Sequence, residues 1–240
     1  MAYDTDKKNR APKSLYFPPI NTSKKNLPTP AFLINLSALE FNLILMSRFF
    51  QQKSAKLRPQ FNTHKCPIIA KKQMEYAAVG ITCAKLSEAE VQADSGVSSI
   101  LIANQVVDPI KIDLLARLAR NSQLIVAVDQ LKNLTRMGKA EVQAGSTIHV
   151  VIEVDVSLHQ SGIQPGEPAL RLAEEASHLS GIHFSGVLGY EGFTMFEVNR
   201  VLREEQALHA TRALAGTADL IRKTGIQVEI VGAGERGLMT

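Results

Sequence analysis

Residues 81–105 read Ile81-Thr-Cys-Ala-Lys-Leu-Ser-Glu-Ala-Glu-Val-Gln-Ala-Asp-Ser-Gly-Val-Ser-Ser-Ile-Leu-Ile-Ala-Asn-Gln105. Ile81 to Leu86 is apolar and strand-like. Ser87-Glu-Ala-Glu90 has the spacing of a capping box that opens a helix, and Gly96 closes it. Ser99 to Gln105 is a second strand. A strand, a helix and a strand in so short a span is a βαβ unit, which brings its two strands parallel.

The same alternation continues on both sides. Downstream, Asp108-Pro109 has the chemistry of a helix start, and Leu124–Val128 and Ile148–Val156 are apolar strands. Pro165 opens a helix running to about Leu179, closed by Gly181. His183–Tyr190 is a strand, a long helix follows to Thr224 with Gly225 as its stop, and Gln227–Val231 is the last strand. Upstream, Leu57–Thr63 reads as a strand and Pro67 as a helix start. Ser37-Ala-Leu-Glu40 is a second capping box, with helical apolar spacing to Phe50. Ala31–Leu36 is a short strand, entered through Pro28 and Pro30.

From Leu57 the strands start near 57, 81, 99, 124, 148, 183 and 227. They are short and apolar on both faces, as in a parallel sheet buried under helices. A closed (β/α)8 barrel needs one strand more, so the chain is expected to stop about one βα unit short of closure. A doubly wound open sheet is the alternative, and periodicity does not separate the two.

Composition agrees with a globular α/β protein. Of 240 residues 45% are hydrophobic, and 27 Lys and Arg stand against 23 Asp and Glu. The excess sits in residues 1–27, where Lys7, Lys8, Arg10, Lys13, Lys24 and Lys25 face only Asp4 and Asp6. Residues 1–27 are therefore read as a basic, disordered tail and 28–240 as the barrel domain. A charged tail on a neutral domain is no footprint for nucleic acid or a membrane surface. No apolar run approaches the ~18–20 residues that span a bilayer, and the N-terminus lacks the apolar core of a secretory signal. Cys66 and Cys83 form no C-x-x-C pair, so a reducing, cytoplasmic setting is expected.

Three clusters carry possible chemistry. Gly232-Ala-Gly-Glu-Arg-Gly237 matches G-x-G-x-x-G, but it ends the alternating pattern and only three residues follow it, which excludes a dinucleotide fold. A plain turn, or a phosphate site after a late barrel strand, remains. In Arg58-Pro-Gln-Phe-Asn-Thr-His-Lys65, strand alternation would put Arg58, Gln60, Asn62 and His64 on one face. Four polar residues on a buried face are costly unless they line a site, although His64 alone reads as a structural histidine. In Glu153-Val-Asp-Val-Ser-Leu-His-Gln-Ser-Gly162, Glu153 and Asp155 share a strand face, as paired acids in a barrel lumen would. Gly189-Tyr-Glu-Gly192 ends the next strand.

Taken in order, Thr29-Pro-Ala, Arg58-Pro with Thr63-His-Lys65, Ala84-Lys-Leu-Ser-Glu-Ala-Glu90, Ile102-Ala-Asn-Gln105, Val154-Asp155, Gly162-Ile-Gln-Pro-Gly-Glu-Pro168 and Gly189-Tyr-Glu-Gly192 resemble the D-threonine aldolase / D-serine dehydratase family. The likeness runs from about Thr29 to Gly237. It implies a fold-type III pyridoxal-phosphate enzyme with an alanine-racemase-like barrel that acts on β-hydroxy-D-amino acids. It further implies cofactor contacts at Gln105, Tyr190, Gly232 and Gly234, and a following β-domain whose His and Cys bind a divalent metal.

The sequence departs from the family at its reactive positions. The first-strand motif resembles R-P-H-x-K-x-H-K; here its first His position is Gln60 and its Schiff-base lysine position is Asn62, while His64 is kept. A carboxamide forms no Schiff base. The Arg position near the cofactor is Gln160, and Glu235 sits in the glycine loop beside Arg236. The chain is also expected to end before an eighth strand and the metal-bearing domain. The expectation is a truncated, inactive relative of these lyases. The rivals are a functioning lyase that recruits another lysine, Lys85 above all; a non-catalytic pyridoxal-phosphate binder or interaction protein; and a gene fragment. The expected ligands are an amino acid or the cofactor. Open sheet edges are expected to drive homodimers or edge-strand association.

Overall fold

A computed structural model describes residues 18–234. The chain divides after Asn42 into two units, Met1–Asn42 and Leu43–Thr240. Helix α1, Leu36–Gln51, runs across the division. No strand forms over Ala31–Leu36, because no strand among the described residues pairs with it. The cap of α1 is Asn35, whose Oδ1 accepts from the Ala38 amide at 3.0 Å, so the Ser37 box lies inside the helix it was expected to open.

The second unit carries six strands: β1 Ile81–Cys83, β2 Ser99–Ile102, β3 Gln123–Val128, β4 Ile148–Val154, β5 Ile182–Gly189 and β6 Ile230–Ala233. The intervening helices are α3 Leu86–Asp94, α4 Pro109–Ala119, α5 Leu131–Ala144, α6 Glu167–His178 and α7 Arg200–Lys223, with α2, Pro67–Glu75, ahead of β1. Every strand pair is parallel and the order is β1-β2-β3-β4-β5-β6. A doubly wound sheet reverses its order at a switch point. This one never reverses, which settles the architecture as barrel-type.

The two faces of the strands confirm it. One face, with Ile100, Ile102, Leu124, Val126, Val128, Ile148, Val150 and Ile152, packs under helical residues such as Leu115, Leu134, Met137 and Leu214. On the other, Leu101, Ile125, Ala127 and Val151 pack with Ala103, Leu188 and Ile230, all from the sheet itself or its strand ends. A sheet that buries one face against itself is curled, and that face is a barrel lumen. At the lumen's lower end the rings of His149 and His183 lie 4.5 Å apart, and His149 Nδ1 is 3.1 Å from Ser185 Oγ.

Three further expectations are corrected. Leu57–Thr63 is not a strand. The Leu57 and Pro59 carbonyls accept from the Val79 and Thr82 amides, Gln60 makes one bridge to Thr82, and the chain then tightens into a 3₁₀ turn at Phe61–Thr63. Pro59 has no amide to give a ladder, and Phe61 turns into the core at 2% exposure. Helix α3 starts one residue ahead of the Ser87 box: Lys85 is its cap, and Glu88 reaches back to accept from the Ala84 amide at 2.8 Å. The last strand is Ile230–Ala233 rather than Gln227–Val231, and with Leu57–Thr63 lost as a strand, six stand among the described residues where seven were expected. The Asp108-Pro109 start of α4 is as read, with Asp108 Oδ1 accepting from Lys111 N at 3.1 Å.

Candidate functional site

Barrel enzymes work at the C-terminal ends of their strands. In this chain that rim holds Gln105 beyond β2, Asp129 after β3, Glu153 in β4, Asp155 just after it, and Tyr190 after β5. Strand alternation turns Glu153 and Asp155 to the lumen side, as the sequence suggested. Their partners differ. Glu153 accepts from the Gln105 amide group through Oε2 and from Ser161 Oγ at 2.7 Å through Oε1. Asp155 accepts from the amides of Ser157 at 3.1 Å and His159 at 3.0 Å, and its Oδ2 lies 2.7 Å from His159 Nδ1. Burial alone would raise the Asp155 carboxyl. The hydrogen bonds from His159 and Ser157, with the nearby His159 ring, outweigh it and hold the group below the usual range.

The residues of the Arg58–Lys65 stretch do not share a face. Arg58 turns inward to Ser99, with Nη1 3.1 Å from its Oγ. Gln60 and Asn62 are exposed, Asn62 at the middle of the 3₁₀ turn. His64 is a satisfied structural histidine: its Nδ1 accepts from the Cys66 amide at 3.1 Å, so the proton sits on Nε2, 3.3 Å from Gln73 Oε1. Burial lowers its pKa, partly opposed by those two bonds.

Lys85 lies exposed at the end of β1, its backbone closing the first turn of α3. Gln160 is exposed on the loop that follows β4. A side-chain Cβ at Gly234 would sit 3.3 Å from Tyr190 Cδ2, and one at Gly232 would sit 2.9 Å from Leu188 Cδ1. The room these glycines leave is taken by Tyr190 and Leu188. Glu235, Arg236 and Gly237 lie outside the described residues.

Sequence reading missed Asp129 and Ser161. Asp129 Oδ2 accepts from the Gly162 amide at 3.2 Å. Its signal was its place: the first polar residue after the apolar run Leu124–Val128, where a barrel strand ends. Ser161 had no signal, because it reaches Glu153 only once the loop folds back.

A parallel sheet in sequence order, an apolar lumen and a polar rim at the C-terminal ends define a barrel of the (β/α) class. Within it, residues 34–234 match the family model "Alanine racemase, N-terminal domain", and the chain belongs to that family. It is 37% identical to a D-threonine aldolase of Arthrobacter sp over 209 residues, covering 87% of this chain and 55% of the relative. It is 27% identical to a 3-hydroxy-D-aspartate aldolase of Paracoccus denitrificans over 216 residues, covering 89% and 56%. The crystal structure of D-threonine aldolase from Filomicrobium marinum superposes with a TM-score of 0.84 at 37% identity, over 86% of this chain and 56% of that one. The chain thus spans about half the length of the relatives it matches.

The resemblance implies pyridoxal phosphate at this rim, and the donor set can be tested against it. A covalently held aldehyde cofactor needs an amine at the matching position, and Asn62 offers a carboxamide. Gln160 gives no charge where the resemblance implies Arg, and Gln105 and Ser161 are committed to Glu153. The residues do not fit covalently bound pyridoxal phosphate at position 62. Among the described residues no group of three or more His, Cys, Asp or Glu could hold a metal ion. No helix among them is long and apolar enough to cross a membrane.

Proposed function

We propose that this chain is the barrel of a pseudoenzyme related to the lyases of β-hydroxy-D-amino acids: a protein with the D-threonine aldolase barrel that has lost Schiff-base chemistry. The observation that carries this reading is Asn62, exposed on a 3₁₀ turn, at the position that the resemblance pairs with the family's lysine. Bound cofactor or amino acid is then held by non-covalent contacts at the rim, where Tyr190, Gln105, Gly232 and Gly234 are the retained family positions and where Gln105 must exchange its bond to Glu153 and Tyr190 must swing from Gly234. Gln160 weakens that hold by removing a cation. A cytoplasmic setting fits the two free cysteines, one of them Cys83, whose thiol burial and Glu88 push up to about 12.

The test is borohydride reduction in the presence of pyridoxal phosphate, followed by peptide mapping. The wild type should yield no phosphopyridoxyl group on a rim lysine and no cleavage of D-threonine. Asn62→Lys should restore covalent attachment at position 62 without full turnover, because position 160 still lacks its cation. A phosphopyridoxyl group on wild-type Lys85, together with D-threonine cleavage, would overturn the reading in favour of a lyase that recruited that lysine.

A further inference from the structure

The loop that follows β4 is built to stay closed. Residues 155–164 leave the strand and return to it: the Asp155 amide donates to Ile163 O at 2.8 Å, and the Ile163 amide donates to Glu153 O at 2.9 Å. Val154 and Ile163 form a β-bridge. Between these anchors the backbone is strained. Ser157 has φ 92° and His159 φ 55°, left-handed values that non-glycine residues seldom adopt. Such strain persists only where the surroundings over-determine it. Here Asp155 does so, accepting from both strained residues' amides through one oxygen.

The closure is fastened at two strand ends, β4 and β3, and the β4 anchor is itself held by a residue beyond β2. Glu153 of β4 takes Ser161 Oγ on one oxygen and Gln105, from the end of β2, on the other. Asp129, from the end of β3, takes the Gly162 amide. Gly162 has φ 97°, and a Cβ there would lie 2.7 Å from the Asp155 amide nitrogen, so only glycine permits this approach. Each rim carboxylate named here is thus engaged with the loop.

We propose that residues 155–164 form a strap latched over the C-terminal rim of the barrel by Asp129, Glu153 and Asp155, and that opening and closing of this strap controls access to the rim. These three acids are positioning residues: they hold the loop and with it position 160, which the closed strap carries exposed to solvent. Opening releases Glu153 Oε1 from Ser161 and Asp129 from the Gly162 amide, so the rim exists in two states with different free groups. The inference uses the proposed function only in treating this rim as the site.

The experiment is amide hydrogen exchange on the full chain without ligand, so its outcome is independent of cofactor trapping. In the wild type, the amides of Ser157, His159, Gly162 and Ile163 should be protected. Asp155→Asn should speed exchange at Ser157 and His159 by about tenfold or more, as the loss of a charged acceptor predicts. Ser161→Ala cuts the strap's tie while keeping the Glu153 charge; it should speed exchange across 157–163 and leave the buried strand amides of Val126 and Val150 unchanged. Wild-type exchange at the rate of an unstructured loop would overturn the proposal. So would variants that speed exchange only in step with global unfolding.

Discussion

Replacing glycine by alanine at two positions should change stability in opposite directions. Gly186 lies in β5 with φ 150°, and it is paired with Ile230 at the start of the β5–β6 seam. A Cβ there would fall 1.9 Å from the Ile230 carbonyl oxygen and 2.8 Å from its carbon. An ordinary carbon–oxygen contact is about 3.3 Å or more, so β6 would have to retreat by roughly 1.4 Å. The obstacle is backbone and cannot rotate away. Movement of that size breaks the seam's hydrogen bonds at about 1 kcal/mol each and loosens Leu188 and Ile230, giving a loss of roughly 2–4 kcal/mol. Gly216 is exposed in α7, and its Cβ would meet nothing within 4 Å. Alanine there should gain about 0.5–1 kcal/mol from helix propensity. Urea unfolding followed by far-ultraviolet circular dichroism measures both. If Gly186→Ala leaves the midpoint unchanged, or if the two variants shift it the same way, the close approach of β5 and β6 argued here is wrong.

Acid stability should report two half-buried histidines. His149 is held below its usual pKa by burial and by the facing His183, against an opposing pull from Glu229, and His64 is lowered by burial. A base with a depressed folded pKa contributes stability that is present above its unfolded value of about 6.5 and lost as pH falls through the folded one. Stability should therefore decline below about pH 6.5, and His149→Gln should flatten that decline; an unchanged slope in the variant would refute the assignment. Association should run through β6, which among the described residues pairs with β5 alone and exposes Val231. Light scattering should show concentration-dependent assembly that Val231→Lys reduces, and a monodisperse monomer at high concentration would count against it.

The fold was legible where local chemistry agrees with tertiary packing. Five of the seven expected strands, starting near 81, 99, 124, 148 and 183, fall within a residue or two of β1 to β5, because runs such as Leu124–Val128 can be buried on both faces only in a parallel sheet. The reading failed where one residue outweighs its neighbours. Phe61 sinks into the core and winds Asn62 onto a turn, so the alternation assumed for Arg58–His64 never forms. Asn35 rather than Ser37 caps α1, because the two are equally good acceptors and only the position of the first turn decides. At the rim, Glu153 and Asp155 were visible as a pair. Their different partners were not, since Ser161 reaches Glu153 from the strap, Gln105 reaches it from beyond β2, and Asp155 is met by its own loop.

The sequential order of the strands also sets how the chain can assemble. Each strand docks on the one made just before it, so the sheet can grow from its first strands as the polypeptide emerges. Damage then has a direction. A fault at β6 leaves five strands with their pairing intact, whereas a fault at β3 separates β1 and β2 from everything that follows. Variation along this chain is thus best tolerated toward β6 and least tolerated in the middle of the sheet, independently of where the rim groups lie.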